Sequence, residues 1–390
     1  MIPRTKVNYT LAEVLRAALV TERGSDYREP LRALLRNYLG QEHVLLTPSG
    51  RGALYFILRA LPQPRVLMPA YTCKAVAEAA MLAGKEIVHV EIEPDGFNMD
   101  LAALAKAVDG RSIVIATHQF GIPCAIEAIV DLCHGKGAVV VEDAAPSLGS
   151  RVGGRLTGTF GDAAFYSFDS TKLINVPMKG GFLTAKDPGL FQRICDLYRK
   201  DIKPLPWLQT FKLLVAAIIL LALGNHILYR CFHKLMFEWR GRFTGDSAVL
   251  NQTLDQFYVY DMANWQAYMA AGQVRKIDQI IAFRQLRYAE YLAKLDGCRA
   301  FIAPPVDRNA EWACIRFPIR VAGDKLAYYR RATRRGVDFA FSFTFLACPK
   351  EFTNAIRLAD SVLDLPFYLK LTANETDDVV AALRKMEHDE

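Results

Sequence analysis

The chain has 390 residues, more than one hydrophobic core usually serves, so two domains are expected. Just over half of the residues are hydrophobic and 23% are charged, which excludes a disordered chain. The net charge of +7 is spread along the chain, with local density only at 230–242 and 330–335. That excludes a nucleic-acid protein, which needs a denser basic stripe and a recognisable module, and suits phosphorylated small molecules or an anionic membrane face. Eight cysteines stand singly, with no Cys-x-x-Cys pair and no histidine cluster at zinc spacing. No metal centre and no disulfide framework is expected, as in a reduced cytoplasmic enzyme. The N-terminus carries no apolar signal core, which also points to the cytoplasm.

Residues 1–45 read as an amphipathic helical lead-in that ends in apolar Val44-Leu45-Leu46. Thr47-Pro48-Ser49-Gly50-Arg51-Gly52 then forms a turn before a helix over Ala53–Leu61. A loop-to-helix junction offers unpaired N–H groups and a positive dipole end, which suits a phosphate. Strands are expected over 65–68, 86–90, 112–116 and 138–141, with helices over 75–83, 99–108 and 125–135 between them. The alternation predicts βαβ units and a mostly parallel sheet buried on both faces. Two further strands, 163–168 and 181–184, flank a polar turn. Leu213 to Leu223 is an unbroken apolar run between Lys212 and Arg230. It is shorter than the roughly 20 residues that span a bilayer. It therefore reads as a buried or dimer-facing helix, or as a helix or hairpin resting in a membrane surface over 211–232. A long helical pattern over 262–295 and a final alternation of strands and helices, including 316–320, 325–335 and 377–386, predict a smaller second α/β domain.

Three groups of residues carry chemistry. Val139-Val140-Val141-Glu142-Asp143 is an apolar strand that delivers a carboxylate at its C-terminal end, the ligand-binding rim of an open α/β sheet; a helix cap is the alternative for Asp143. Ala163 to Phe168 leads into a hydroxyl-rich turn with Lys172 five positions after Ser167. A lysine beside a phosphate cradle and an acid can join an aldehyde cofactor, whereas alone it would be a solvated charge. Gly180-Gly181 lets the lysine-bearing loop fold back onto the sheet.

Taken in order, Ser-Gly-x-x-Ala-Leu at Ser49, Glu-Asp-Ala-Ala at Glu142, Gly-Asp-x-x-x-Tyr-Ser-Phe-x-x-x-Lys ending at Lys172, and Gly180-Gly181 resemble the DegT/DnrJ/StrS family of sugar aminotransferases. Pro69-Ala70-Tyr71-Thr72, Asp95 to Asp100, His118 with Gly121 and Pro123, Met262 with Gln266, Ala267 and Gln273, and Leu365-Pro366 extend the resemblance over nearly the whole chain. It implies fold type I of the pyridoxal-phosphate enzymes, with a large domain over 1–248 around a mostly parallel seven-stranded sheet. An apolar insertion at 205–240 and a small domain over 249–390 complete the expected organisation.

By the same resemblance pyridoxal phosphate is the cofactor, Lys172 carries it and Asp143 keeps its ring nitrogen protonated. Ser167 and the backbone of Gly50, Arg51 and Gly52 bind its phosphate, while Cys73 and Pro146 stand at family cofactor-contact positions. The implied reaction moves an amino group, expected from glutamate, to a keto group on a nucleotide-linked sugar for polysaccharide or a related glycoconjugate. A homodimer is implied, with each site built from both subunits. Several family positions are altered: Arg51 for a threonine, Cys73 for a stacking aromatic, Pro146 for glutamine or histidine, Leu148 for a common histidine and Val259 for a partner-subunit asparagine. These leave two alternatives open, a different pyridoxal reaction such as dehydration, or a non-catalytic sugar-nucleotide binder or scaffold at a membrane. Lys172 argues against dehydration, because the related dehydratases carry histidine there. His118 reads as a core histidine, and Arg316 and Arg320 as arginines that could reach a substrate phosphate or stay solvated.

Overall fold

The computed structural model describes residues 1–21, 25–238, 250–298, 311–321, 323–343 and 346–387. Seven strands form the main sheet: β1 (Val44–Thr47), β2 (Arg65–Pro69), β3 (Glu86–Val90), β4 (Ser112–Thr117), β5 (Val139–Asp143), β6 (Ala163–Ser167) and β7 (Gly181–Ala185). Their spatial order is β1-β7-β6-β5-β4-β2-β3, and only β7 runs against its neighbours. Side chains alternate across a strand, so a sheet covered on both faces needs apolar residues at every position. β4 shows this directly. Ile113 and Ile115 pack with helices Gly50–Ala60 and Lys74–Leu82, while Val114 and Ala116 pack with helices Leu101–Ala107 and Ile126–Gly135.

Gly181 starts β7 where there is no room for a side chain. A Cβ there would sit 2.5 Å from the Tyr166 carbonyl oxygen and 2.6 Å from the Gly50 nitrogen. The glycine pair is thus needed for close approach, and it brings the start of helix Gly50–Ala60 onto β6 and β7. The segment between β6 and β7 is held from the other side. Gln266 donates to the carbonyls of Pro177 (2.8 Å) and Lys179 (2.9 Å), and Gln273 donates to that of Asn175 (2.6 Å).

A second, three-stranded antiparallel sheet is built from Phe317–Arg320, Val362–Leu365 and Ala340–Phe341 in that spatial order. Tyr288 and Tyr291 of helix Ile277–Leu295 and Leu383 and Met386 of helix Ala373–Glu387 share its core. The expected boundary at 248/249 falls outside the described residues, as do 239 and 240 of the insertion. Met262, Trp265, Ile277 and Ile280 pack in the same cluster as Leu31 and Leu35, beside the large sheet.

Two expectations differ in detail. The lead-in is not helical throughout: Ile2 bridges to Val337, and the first helices are Leu11–Thr21 and Arg28–Leu39. The pattern over 262–295 is two helices, Asn264–Val274 and Ile277–Leu295, because the first ends at Arg275 and Lys276 is not helical. A continuous apolar period does not register such a break.

The apolar insertion forms helix Trp207–Ala222 and helix His226–His233, bent by 107° at a break where Asn225 caps the second by accepting from Ile227 and Leu228. Buried polar contacts fasten the second helix to helix Lys325–Arg334 and the turn that follows it. Tyr229 donates to Asp338 (2.5 Å), and His233 Nε2 lies 2.7 Å from the Tyr329 hydroxyl. Arg4 forks onto the same carboxylate at 2.6 and 2.8 Å. Burial alone would raise the pKa of Asp338, but Arg4, His233 and Tyr229 hold it down to about 2; Lys6 and neighbouring donors likewise hold Glu375 at about 2 against its burial. A carboxyl whose folded pKa is depressed stabilises the fold above its unfolded value, and the contribution is lost as pH falls through the folded value. Urea midpoints should therefore fall between about pH 4.5 and 2. Arg4→Met, which strands the Asp338 charge, should cost about 3–5 kcal/mol at neutral pH in the same titration.

Candidate active site

Asp143 ends β5 and Lys172 lies in the loop after β6, so neighbouring parallel strands deliver both to one end of the sheet. Both line one cavity of about 180 Å³. Gly50, Arg51, Cys73, Pro146 and Ser167 line the same cavity. Gly52 does not. Its N–H is taken by the Ser49 side chain at 3.0 Å, and a Cβ there would lie 2.6 Å from the Phe257 carbonyl oxygen. Ser49 caps helix Gly50–Ala60, and the first residues of that helix, Gly50 and Arg51, bring its dipole end to the cavity. The Arg51 guanidinium also leans toward Glu78 (3.5 Å) and Asp255 (3.6 Å).

The loop after β6 is shaped by Asp169. Its carboxylate accepts from the Thr171 N–H at 3.1 Å and pairs with Lys179, and its carbonyl accepts from the Lys172 N–H at 2.9 Å. Ser167 accepts from the Asp169 N–H at 3.2 Å, which leaves the serine proton for another acceptor. Burial lowers the pKa of Lys172, the neighbouring Arg316 lowers it further, and Asp143 pulls the other way without restoring it. The amine is thus biased toward its neutral, nucleophilic form. Asp143 is raised by burial, against the opposing pull of Lys172 and the Ala145 N–H, whose bond to the carboxylate is 3.2 Å.

Arg316 reaches the cavity from the small sheet, held through Nη1 by Asp364 (2.5 Å) and Ser342 (2.6 Å). Arg320 does not reach it; it donates to the carbonyls of Asp95 and Gly96 at 2.9 and 3.1 Å. His118 is fully buried behind the site. Its Nδ1 accepts from the Cys124 N–H at 3.2 Å, so the proton sits on Nε2, 3.0 Å from Glu142. Glu142 also accepts from Gly158, Phe160 and Gly161; His118 first, then the Gly161 and Gly158 N–H groups, hold its pKa low despite burial. The pair braces the segment beside Asp143.

Several wall residues were not singled out in the sequence, Thr117, Phe120 and Phe343 among them. Phe120 takes φ +58°, a conformation rare outside glycine, and only its place before Gly121 hinted at a turn. Tyr71 does not replace the aromatic ring missing at Cys73. It is buried in a cluster with Phe97 and Phe120, and it donates to the Ser342 carbonyl at 3.2 Å. Leu148 and Val259 are packed in apolar clusters.

The decisive comparison is with protein families. The model of the DegT/DnrJ/EryC1/StrS aminotransferase family matches residues 4–220 and 245–384. The chain belongs to this family. It is an aminotransferase, and its fold is that of the type I pyridoxal-phosphate enzymes. Among curated relatives, a UDP-N-acetyl-3-dehydro-α-D-glucosamine 3-aminotransferase of Acidithiobacillus ferrooxidans is 24% identical over 92% of this aminotransferase and 88% of its own length. Among solved structures, Helicobacter pylori PseC, an aminotransferase of pseudoaminic acid biosynthesis, matches with TM-score 0.79 at 15% identity, over 100% of both chains. The PLP-form of a sugar-aminotransferase-like protein of Streptococcus pneumoniae matches with TM-score 0.75 at 18% identity, over 100% of this chain and 99% of that one.

The residues of this aminotransferase fit the cofactor its family uses. A lysine amine biased to neutrality and a buried carboxylate share one cavity, with a helix start and a serine hydroxyl on its wall. The Thr72 hydroxyl, also on the wall, is buried with no hydrogen-bond partner among the described residues. No single helix among the described residues is long and apolar enough to cross a membrane; only the bent pair at 207–236 meets the length and composition required.

Proposed function

We propose that this aminotransferase holds pyridoxal phosphate in the cavity and carries an amino group from glutamate to a keto group of a nucleotide-linked sugar. The observation that carries the reading is that Lys172 and Asp143 line one cavity at the same end of the sheet. The family match and the activity for which the Acidithiobacillus relative is named, UDP-sugar 3-aminotransfer, support the substrate class. The cofactor supplies an aldehyde that binds the amino group and a ring that accepts electron density. Asp143 holds the proton on the ring nitrogen. Gly50, Arg51 and Ser167 hold the phosphate, and Lys172 takes the proton from the substrate carbon and returns it during the transfer.

Arg51 lends its backbone amide and its charge, Cys73 and Pro146 add apolar wall, and Gly52 shapes the turn by capping contact. We assign the work to a homodimer on the cytoplasmic side of the cell, on the strength of the family likeness. Protein loaded with pyridoxal phosphate should lose its visible absorption band on addition of glutamate and regain it with one member of a panel of keto-sugar nucleotides. A band that persists with glutamate and with every other amino acid tried would remove the transamination reading.

A further inference from the structure

The insertion shows solvent the wrong kind of surface. Helix Trp207–Ala222 buries Leu213 and Ala217 in the cluster that contains Val14 and Ala17 of helix Leu11–Thr21. Its opposite side carries Trp207, Phe211, Val215, Ile218 and Ile219, all exposed, with Trp207 79% accessible. Their three- and four-residue spacing makes one stripe along the helix. Ile227, 74% accessible, and Leu228 continue it on the second helix, and Leu11, Leu15 and Leu19 are exposed on the neighbouring one. A soluble surface seldom leaves so many large apolar side chains together unless something covers them. The family match stops at 220 and resumes at 245, so the second helix belongs to this chain's own departure from the family pattern.

Charge selects what covers the stripe. From Ile202 to Phe237 the sequence has no Asp or Glu, and it has Lys203, Lys212, Arg230 and Lys234. All four are exposed. A second copy docked on this face by a twofold axis would set these like charges against one another. An anionic lipid surface attracts them, at about 1 kcal/mol for each cation near the headgroups. Trp207 at the start of the helix is the residue type that membrane interfaces favour.

Geometry decides how the hairpin lies. Sixteen residues make a helix of about 24 Å, short of a hydrocarbon core of about 30 Å. Leu213 and Ala217 on the first helix, and Tyr229 and His233 on the second, are fixed in the folded body. The hairpin therefore cannot leave the protein to cross a bilayer.

We propose that the stripe from Trp207 to Ile219, continued by Ile227 and Leu228, rests in the headgroup region of an anionic bilayer as a peripheral docking face. The proposal does not depend on which amino acceptor the cavity takes.

The test is flotation of the full-length protein with vesicles of phosphatidylcholine alone and of phosphatidylcholine mixed with phosphatidylglycerol. The protein should rise with the mixed vesicles and stay at the bottom with the neutral ones. Lys212→Gln and Lys234→Gln should each weaken binding about fivefold, the equivalent of one lost headgroup contact. Trp207→Ser combined with Phe211→Ser and Ile218→Ser should weaken it by at least about tenfold, since three large apolar side chains no longer leave water on binding. That triple variant should keep the wild type's mass in light scattering and its cofactor spectrum. Hydrogen exchange on wild-type protein supplies a reading that needs no variant, with vesicle-induced protection expected over 207–228. The proposal is overturned if wild type fails to float with mixed vesicles, if the triple variant floats as well as wild type, or if its mass halves, which would make the stripe a subunit interface. Exchange protection elsewhere than 207–228 would overturn it as well.

Discussion

Lys172→Ala should abolish the visible absorption band of the cofactor-loaded protein and lower kcat by about 10²–10⁴, the range expected when a positioned proton-transfer group is removed. The alanine should fold normally, because the loop is shaped by Asp169 and Gln266 and not by the lysine side chain. Lys172→Arg separates two explanations. It keeps a positive charge near Asp143 but offers a guanidinium that does not lose its proton. If Lys172 acts only as a countercharge, arginine should restore activity. If its amine must be neutral, as burial and Arg316 bias it to be, arginine should be as inactive as alanine.

Asp143→Asn should lower kcat by about 10²–10³ while KM changes little, the size of effect seen when one preorganised electrostatic partner is removed from a closed site. The asparagine amide has nearly the same shape and can keep a local turn with Ala145, so cofactor should still be retained. On the proposed role, what is lost is the negative charge that would keep the ring nitrogen protonated while electron density moves into the ring. A variant as active as wild type, measured at saturating donor and acceptor, would show that Asp143 has no such role.

The parts of the molecule legible in the sequence are those where one local rule sufficed. Strands β2, β4 and β5 were visible because a strand covered on both faces must be apolar along its middle, as 113–116 is. Asp143 was visible because it ends such a strand, and Lys172 because it lies five positions after the end of β6. The role of Gly181 was half visible: the sequence called for a close approach but could not say that Tyr166 and Gly50 are what it approaches. Contacts between distant segments left no local trace. The Asp169–Lys179 pair, the hold of Gln266 on the lysine loop and the arrival of Arg316 from the second sheet depend on chain separations of 10, 87 or more residues that no period encodes. Arg316 and Arg320 show the limit well. Four positions apart near one strand, one reaches the cavity and the other grips a loop. The insertion was visible as apolar, with a buried and a membrane-surface reading both open, since composition reports how greasy a helix is and not which side the fold covers.

We propose that the amine of Lys172, and not that of any other lysine, meets the cofactor. Among the described residues two lysines line the cavity, Lys172 and Lys179, and either amine could reach a bound aldehyde. Borohydride added to protein loaded with pyridoxal phosphate reduces the carbon–nitrogen double bond between lysine and cofactor to a stable amine, and peptide mass mapping then reads where the label sits. One phosphopyridoxyl group per chain is expected, on the peptide that contains Lys172. A label on Lys179, or none at all, would contradict it.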